Sequence, residues 1–194
     1  IGAMADVLQD FEVKEFLMPD IPDEFQPTTR AWEKLLTAVD EEGCVVTVAE
    51  PGQEYSLGGG CVLTVLGPVG EYGDDYNDWS VVTRLICGET SFLFMGDAEK
   101  DAETDIMSTG AELDSDVLKV GHHGSSSSSG KDFVEAVSPD DAVILCGAGN
   151  DYGHPHAETT DLLESMGVQI YRTDLDGTIV MKTDGETITV STEK

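Results

Sequence analysis

Leu118-Lys119-Val120-Gly121-His122-His123-Gly124-Ser125 is a short, mostly apolar run that enters a glycine-flanked histidine pair. A second pair, Gly153-His154-Pro155-His156, follows the apolar run 142–146 across another glycine-rich loop, and the two pairs hold all four histidines of the chain. Loops at strand ends are where a rigid scaffold presents reactive groups. Neutral imidazole is the commonest transition-metal ligand, and such loops can aim several at one point. By itself, Gly-His-His-Gly followed by the serines 125–129 also suits a flexible polar loop; the second pair favours ligands.

Upstream, the apolar run 91–95 ends at Gly96, and Asp97 stands before a helical pattern that starts at Ala98. That position suits a helix N-cap. It equally suits a carboxylate at the end of a central strand, able to bridge two cations. Residues 77–80, Asn-Asp-Trp-Ser, suit a strand cap or a site lining, while Gly58-Gly59-Gly60 lies between two strands and reads as a turn.

Further out, residues 2–10 read as a helix, 13–18 as a strand, and 19–27, with three prolines, as neither. Thr28 is the expected cap of a helix running to about residue 42, with Trp32, Leu35, Leu36 and Val39 on one stripe and Gly43 as its stop. Runs 44–48, 54–57, 61–66, 80–87 and 91–95 predict a mostly antiparallel sheet with hairpins. Helices are then expected at 98–110, 131–137 and 156–166, and strands at 116–120, 142–146, 168–172, 178–182 and 187–191. Asp176-Gly177 and Asp184-Gly185 read as hairpin turns. No regular βαβ period appears, so the reading is an α/β fold with helices flanking a layered sheet core, in one domain spanning 1–194.

The 194 residues carry a net charge of −29, with 39 Asp+Glu against 10 Lys+Arg, while 40 % are hydrophobic. That is enough apolar material for a core, so the acidity does not signal disorder. Such a surface lacks the cations that displace counterions from DNA, and anionic membranes are disfavoured likewise. Cys44, Cys61, Cys87 and Cys146 form no CxxC pair and lie in or beside apolar runs, so buried free thiols are expected. The acidic stretches 71–78 and 99–105 read as solvated faces.

Five segments occur in a telling order: Asn77-Asp78-Trp79-Ser80-Val81-Val82, Phe94-Met95-Gly96-Asp97-Ala98-Glu99, 118–125, 150–156 and Tyr171-Arg172-Thr173-Asp174-Leu175-Asp176-Gly177. Together they resemble the metallo-hydrolase domain of ComEC-type competence proteins, a branch of the metallo-β-lactamase superfamily. The resemblance implies an αββα sandwich with two divalent ions, Zn or Mn, at one edge. It implies metal residues at Asp97, at one or other of His122 and His123, and at His154, with Asp97 and His154 catalytic, and Ser125, His156 and Asn77 at the substrate. Asn77 stands where many members carry a further ligand histidine.

The principal His-x-His-x-Asp-His motif of that superfamily does not occur in the chain, and Ile1-Gly2-Ala3-Met4 resembles the residues just after it. The expectation is therefore an N-terminally incomplete sandwich, with weak metal binding and little turnover. The implied reaction is phosphodiester hydrolysis linked to DNA uptake, on single-stranded DNA or a small phosphodiester. The implied setting is the outer face of a bacterial cytoplasmic membrane, beside a channel region of the same polypeptide. Self-association through an uncovered sheet edge is also expected. The alternatives are a binding or assembly module that kept the fold without the chemistry, and a stand-alone hydrolase of small substrates.

Overall fold

Alternating β-rich runs and tight glycine turns build the first half of the main sheet in this computed structural model, which describes residues 2–194. The reading placed on Ile1 lies outside the described residues. Strands β3 (Glu54–Gly58), β4 (Cys61–Gly67), β5 (Val82–Cys87) and β6 (Thr90–Phe94) pair antiparallel in chain order. The β5–β6 hairpin turns at Gly88, whose φ of +62° suits a residue without Cβ.

Beyond β6 the sheet changes character. Strands β7 (Val117–Lys119), β8 (Asp141–Ile144) and β9 (Gln169–Arg172) add on in parallel, completing seven strands in the order β3-β4-β5-β6-β7-β8-β9. Each parallel step is spanned by a helix: α3 (Lys100–Ser108), α4 (Lys131–Val137) and α5 (Ala157–Ser165). The expected antiparallel sheet thus holds for its first half only. A parallel neighbour needs a crossover, and these three helices supply it. Ala102, Ile106, Phe133, Val134, Val137 and Leu163 of the helices bury against Leu93, Leu118, Ala142 and Ile144 of the strands in one cluster.

Two small sheets stand beside the large one. At the front, α1 (Met4–Asp10), β1 (Glu15–Met18), α2 (Arg30–Glu42) and β2 (Val45–Val48) form a unit in which β1 and β2 pair in parallel. Ala5, Leu8, Trp32, Leu35, Ala38 and Val39 make its core. Thr29, one residue after the expected cap, accepts the Trp32 N–H, and Gly43 closes α2 in the left-handed region. At the other end, β10 (Ile179–Thr183) and β11 (Ile188–Thr192) form a hairpin, where Asp184 Oδ1 accepts the N–H groups of Glu186 and Thr187. Asp176-Gly177 makes no hairpin; it ends the one-turn helix α6 (Thr173–Asp176), and Asp176 accepts the Arg172 N–H.

Three further expectations are corrected. Cys61 and Cys87 are joined by a disulfide, because β4 and β5 place them directly opposite each other, Cα to Cα 4.2 Å; Cys44 and Cys146 stay free but only half-buried. The acidic stretches are not wholly solvated faces, since Asp78 and Glu103 are buried and satisfied by backbone N–H groups. The serine run is no flexible linker: Ser128 Oγ donates to Gly121 O at 2.9 Å, and Glu103 accepts the N–H groups of Ser129 and Gly130.

Candidate metal centre

Asp97 follows the end of β6 and precedes α3, at the edge where β6 meets β7. Gly96 adopts φ +58°, and a Cβ there would stand 2.9 Å from Ser80 Cβ, so the turn requires glycine. Ser80 Oγ accepts the Asp97 N–H at 3.0 Å, which fixes the backbone that carries the carboxylate. Asp78, one turn away, accepts the N–H of Glu99 at 2.7 Å and of Ala102 at 3.4 Å. It is Asp78, not Asp97, that satisfies the open end of α3, so the cap reading of Asp97 gives way. Burial pushes the Asp78 carboxyl up, against the pull of those N–H groups.

The first histidine pair lies just beyond β7, on the single turn Gly121–Gly124. His122 and His123 both sit at positive φ, +40° and +56°, a costly region for any residue with a Cβ. The flanking glycines permit it. A Cβ on Gly121 would lie 2.7 Å from Ala98 O, and one on Gly124 2.7 Å from Pro155 Cβ, so the two histidine loops and the start of α3 close directly on one another.

The rings converge as a result. His122, His123 and His154 have mutual centroid distances of 6.0, 5.4 and 6.2 Å. Two imidazoles on one tetrahedral ion put their centroids about 5 Å apart, so this spacing is near that of shared ligation. His123 Nε2 lies 3.5 Å from Asp97 Oδ1. The outer nitrogens of two rings are tied back: His122 Nδ1 to Glu99 Oε1 at 2.6 Å, and His123 Nδ1 to Leu145 O at 2.6 Å. A carbonyl or an ionised carboxylate only accepts, so both Nδ1 atoms carry a proton, and in the neutral form of each ring the lone pair is on Nε2. No described residue hydrogen-bonds the ring nitrogens of His154. Burial, followed by its His122, His156 and His123 neighbours, pulls the His154 pKa down against Asp97, which favours the neutral ring.

The other expected residues take different places. Asn77 donates its amide to Glu99 Oε1 at 3.1 Å, so Glu99 links it to His122. Both nitrogens of His156 are engaged, Nδ1 accepting the Ser126 N–H at 2.9 Å and Nε2 facing Tyr152 O at 3.3 Å, which makes the ring a brace between the two loops. Ser125 is buried, with its hydroxyl 2.8 Å from that of Ser127. Two neighbours were not foreseen. Glu99 lay inside a stretch read as solvated, although it follows Asp97 by two residues. Lys119, a cation inside an apolar strand, donates to Gly96 O; its burial lowers the pKa and Asp97 opposes that effect.

The donors therefore fit a metal in kind, with Nε2 lone pairs, tethered tautomers and a carboxylate. They do not enclose an ion as they stand. Among the described residues no three His, Cys, Asp or Glu side chains come close enough together to hold one.

No family model matches the chain. It is 35 % identical over 147 residues to ComE operon protein 3 of Bacillus subtilis, covering 76 % of this chain and 19 % of that protein. It is 38 % identical over 106 residues to competence protein ComA of Neisseria gonorrhoeae, covering 54 % and 15 %. To recombination protein 2 of Haemophilus influenzae it is 33 % identical over 103 residues, covering 53 % and 13 %. The chain thus spans less than a fifth of the length of each of these relatives. Among solved structures, CmlA, a diiron β-hydroxylase from Streptomyces venezuelae, superposes with a TM-score of 0.53 at 16 % identity, over 80 % of this chain and 38 % of that one. The chain is a metallo-β-lactamase-fold relative of a segment of the ComEC-type competence proteins.

Proposed function

We propose that this chain is a metal-dependent phosphodiesterase domain linked to DNA uptake, its substrate single-stranded DNA or a small phosphodiester. The observation that carries the reading is the convergence of His122, His123 and His154 beside Asp97, with two Nδ1 protons tied back so that the Nε2 atoms are free to ligate. These four side chains would hold part of a two-ion centre of Zn or Mn, Asp97 bridging and His154 ligating at the reacting side. A bound divalent pair supplies Lewis acidity to the phosphate and lowers the pKa of water.

The chain's own residues set that chemistry up. Ser80 and Gly96 hold the Asp97 turn, and Lys119 ties Gly96 O to β7, which positions the carboxylate beside His123. Glu99 keeps the His122 proton on Nδ1. Asn77 steadies Glu99, His156 braces the two histidine loops, and Ser125 fixes its own loop through Ser127; all three act on the substrate through the groups they position. Positive potential for a DNA substrate has to come from a partner surface or from the rest of a longer polypeptide, since this chain carries −29.

The resemblance to ComEC-type proteins implies a setting beside a membrane channel region, at the outer face of the bacterial cytoplasmic membrane, and the competence relatives are consistent with it. The Cys61–Cys87 disulfide suits such an oxidising location. No helix among the described residues is long and apolar enough to cross a membrane. Self-association finds support at the β3 edge and at β2, where Leu57 and Val45 are exposed.

A second reading, a binding module that kept the fold without catalysis, is favoured by Asn77, which spends its amide on Glu99, and by the open donor set. Calorimetric titration with Zn²⁺ and Mn²⁺, run on the wild type and Asp97→Asn, separates the two. Weak binding abolished by the substitution, with chelator-sensitive cleavage of a labelled single-stranded oligonucleotide, is the expected result. Absence of any bound ion, or unchanged binding in Asp97→Asn, would sink the hydrolase reading.

A further inference from the structure

On the His154 side of the centre lies a cavity of about 420 Å³ whose lining includes His123, Leu145, Tyr152 and His154. Tyr152 at its rim is 79 % exposed, and its ring lies nearly parallel to that of His154, 5.7 Å between centroids and 20° between planes. A single exposed aromatic is ordinary on a protein surface. One that lies nearly parallel to a site histidine, at the mouth of a cavity, and is this exposed presents a π-face to whatever occupies the site.

Apart from the two site histidines and the Tyr152 hydroxyl, the polar side chains of the same cavity are already paired. Thr173 Oγ accepts the Cys146 N–H at 2.9 Å and donates to Cys146 O at 2.8 Å. The Asn150 amide donates to Gly147 O at 2.9 Å and His154 O at 2.6 Å, while its oxygen accepts the His154 N–H at 3.0 Å. The Cys146 thiol faces Asp174 Oδ1 at 3.2 Å, and Leu145 adds apolar surface. Reading a base by its edge needs free donors and acceptors. A cavity that offers a ring face and few free polar groups takes planar groups by stacking, without regard to edge pattern.

We propose that Tyr152 is a stacking platform holding one unpaired base of the substrate beside His154, in a subsite that accepts any base. The proposal rests on the phosphodiesterase reading for the identity of the planar group. A base inside a duplex has both faces covered, so the platform selects single strands or free ends. Tyr152 acts here as a specificity residue, and its contribution is independent of phosphate charge.

The test uses the thymidine dinucleotide with a methylphosphonate link, which is neutral and lacks the ordinary diester, titrated into the chain and followed by NMR shifts of the Tyr and His ring protons. Wild type and Tyr152→Phe bind it equally, and Tyr152→Ala binds it about tenfold more weakly, the usual loss for one stacked base. The deoxyadenosine analogue binds wild type within about threefold of the thymidine one, and an abasic analogue binds no better than thymidine binds Tyr152→Ala. Undiminished binding by Tyr152→Ala, equal binding of the abasic probe, or no shift in the wild type each overturns the proposal. Because Tyr152 is exposed, the variants leave the core untouched. Failure of the phosphodiesterase reading shows separately, as absence of cleavage of the ordinary dinucleotide while this binding pattern persists.

Discussion

Glu99 accepts from both His122 Nδ1 and the Asn77 amide, so one carboxylate sets the tautomer of one histidine and anchors the segment that also carries Asp78 and Ser80. Replacing it with Gln gives an isosteric group that can turn its NH₂ toward His122 and leave Nδ1 without a charged acceptor. Metal-ligating histidines that lose such a partner bind about 10–100-fold more weakly. Glu99→Gln is therefore expected to lower Zn²⁺ affinity by that factor with fold and thermal stability little changed, as calorimetry and circular dichroism would record; equal affinity would count against His122 as a ligand. The four histidines and Asp97 were legible in the sequence because their spacing is local, within loops that end strands. Glu99, Lys119 and Asp78 were not, because each acts through a partner some 20 residues away, and sequence proximity carries no sign of it.

At the scale of elements, α3 has nine residues, and no side chain of its own N-cap residue, Glu99, caps it. Its open N–H groups are met instead by Asp78, 2 % exposed, from the segment before β5. Asp78→Ala leaves one buried and one half-buried donor without their acceptor and is expected to cost about 1–2 kcal/mol, the range for loss of a helix cap. Asp78→Asn, which keeps an acceptor, should cost less. Urea denaturation of both variants measures this, and a wild-type midpoint for Asp78→Ala would refute the cap. The same contact explains how the elements could be read from patterns while their partners could not. Periodicity and glycines located α2, α4 and the β10–β11 hairpin. The switch from antiparallel to parallel pairing after β6 is settled by packing of α3, α4 and α5 on the sheet, and the disulfide depends on the register of β4 against β5, which sets Cys61 opposite Cys87.

For the whole molecule the governing number is −29, and Glu103 is the carboxylate within it that burial shifts furthest. Glu103 is 1 % exposed, and burial pushes its pKa from 4.5 up to about 7 against the pull of the Gly130 and Ser129 N–H groups. Between those two values the folded state holds a proton that the unfolded chain has released, so stability is fully present below about 4.5 and falls as pH rises to about 7. At about 1.4 kcal/mol per pH unit the ceiling on this effect is about 3 kcal/mol. Repulsion among the surface carboxylates acts in the same direction, since lowering pH relieves it. The two are separable, because exposed charges are screened by salt and buried ones much less. The urea midpoint of the wild type should therefore fall from pH 5 to pH 8, and about 0.5 M NaCl should flatten only part of that slope. Glu103→Gln removes the ionisable group and, whatever its absolute stability, should lose the larger share of the salt-resistant part, the remainder belonging to Asp78 and Asp141, which burial also pushes up. If the variant and the wild type keep the same slope in high salt, the pH dependence belongs to other carboxylates, and Glu103 is no more than a satisfied anchor for the serine loop.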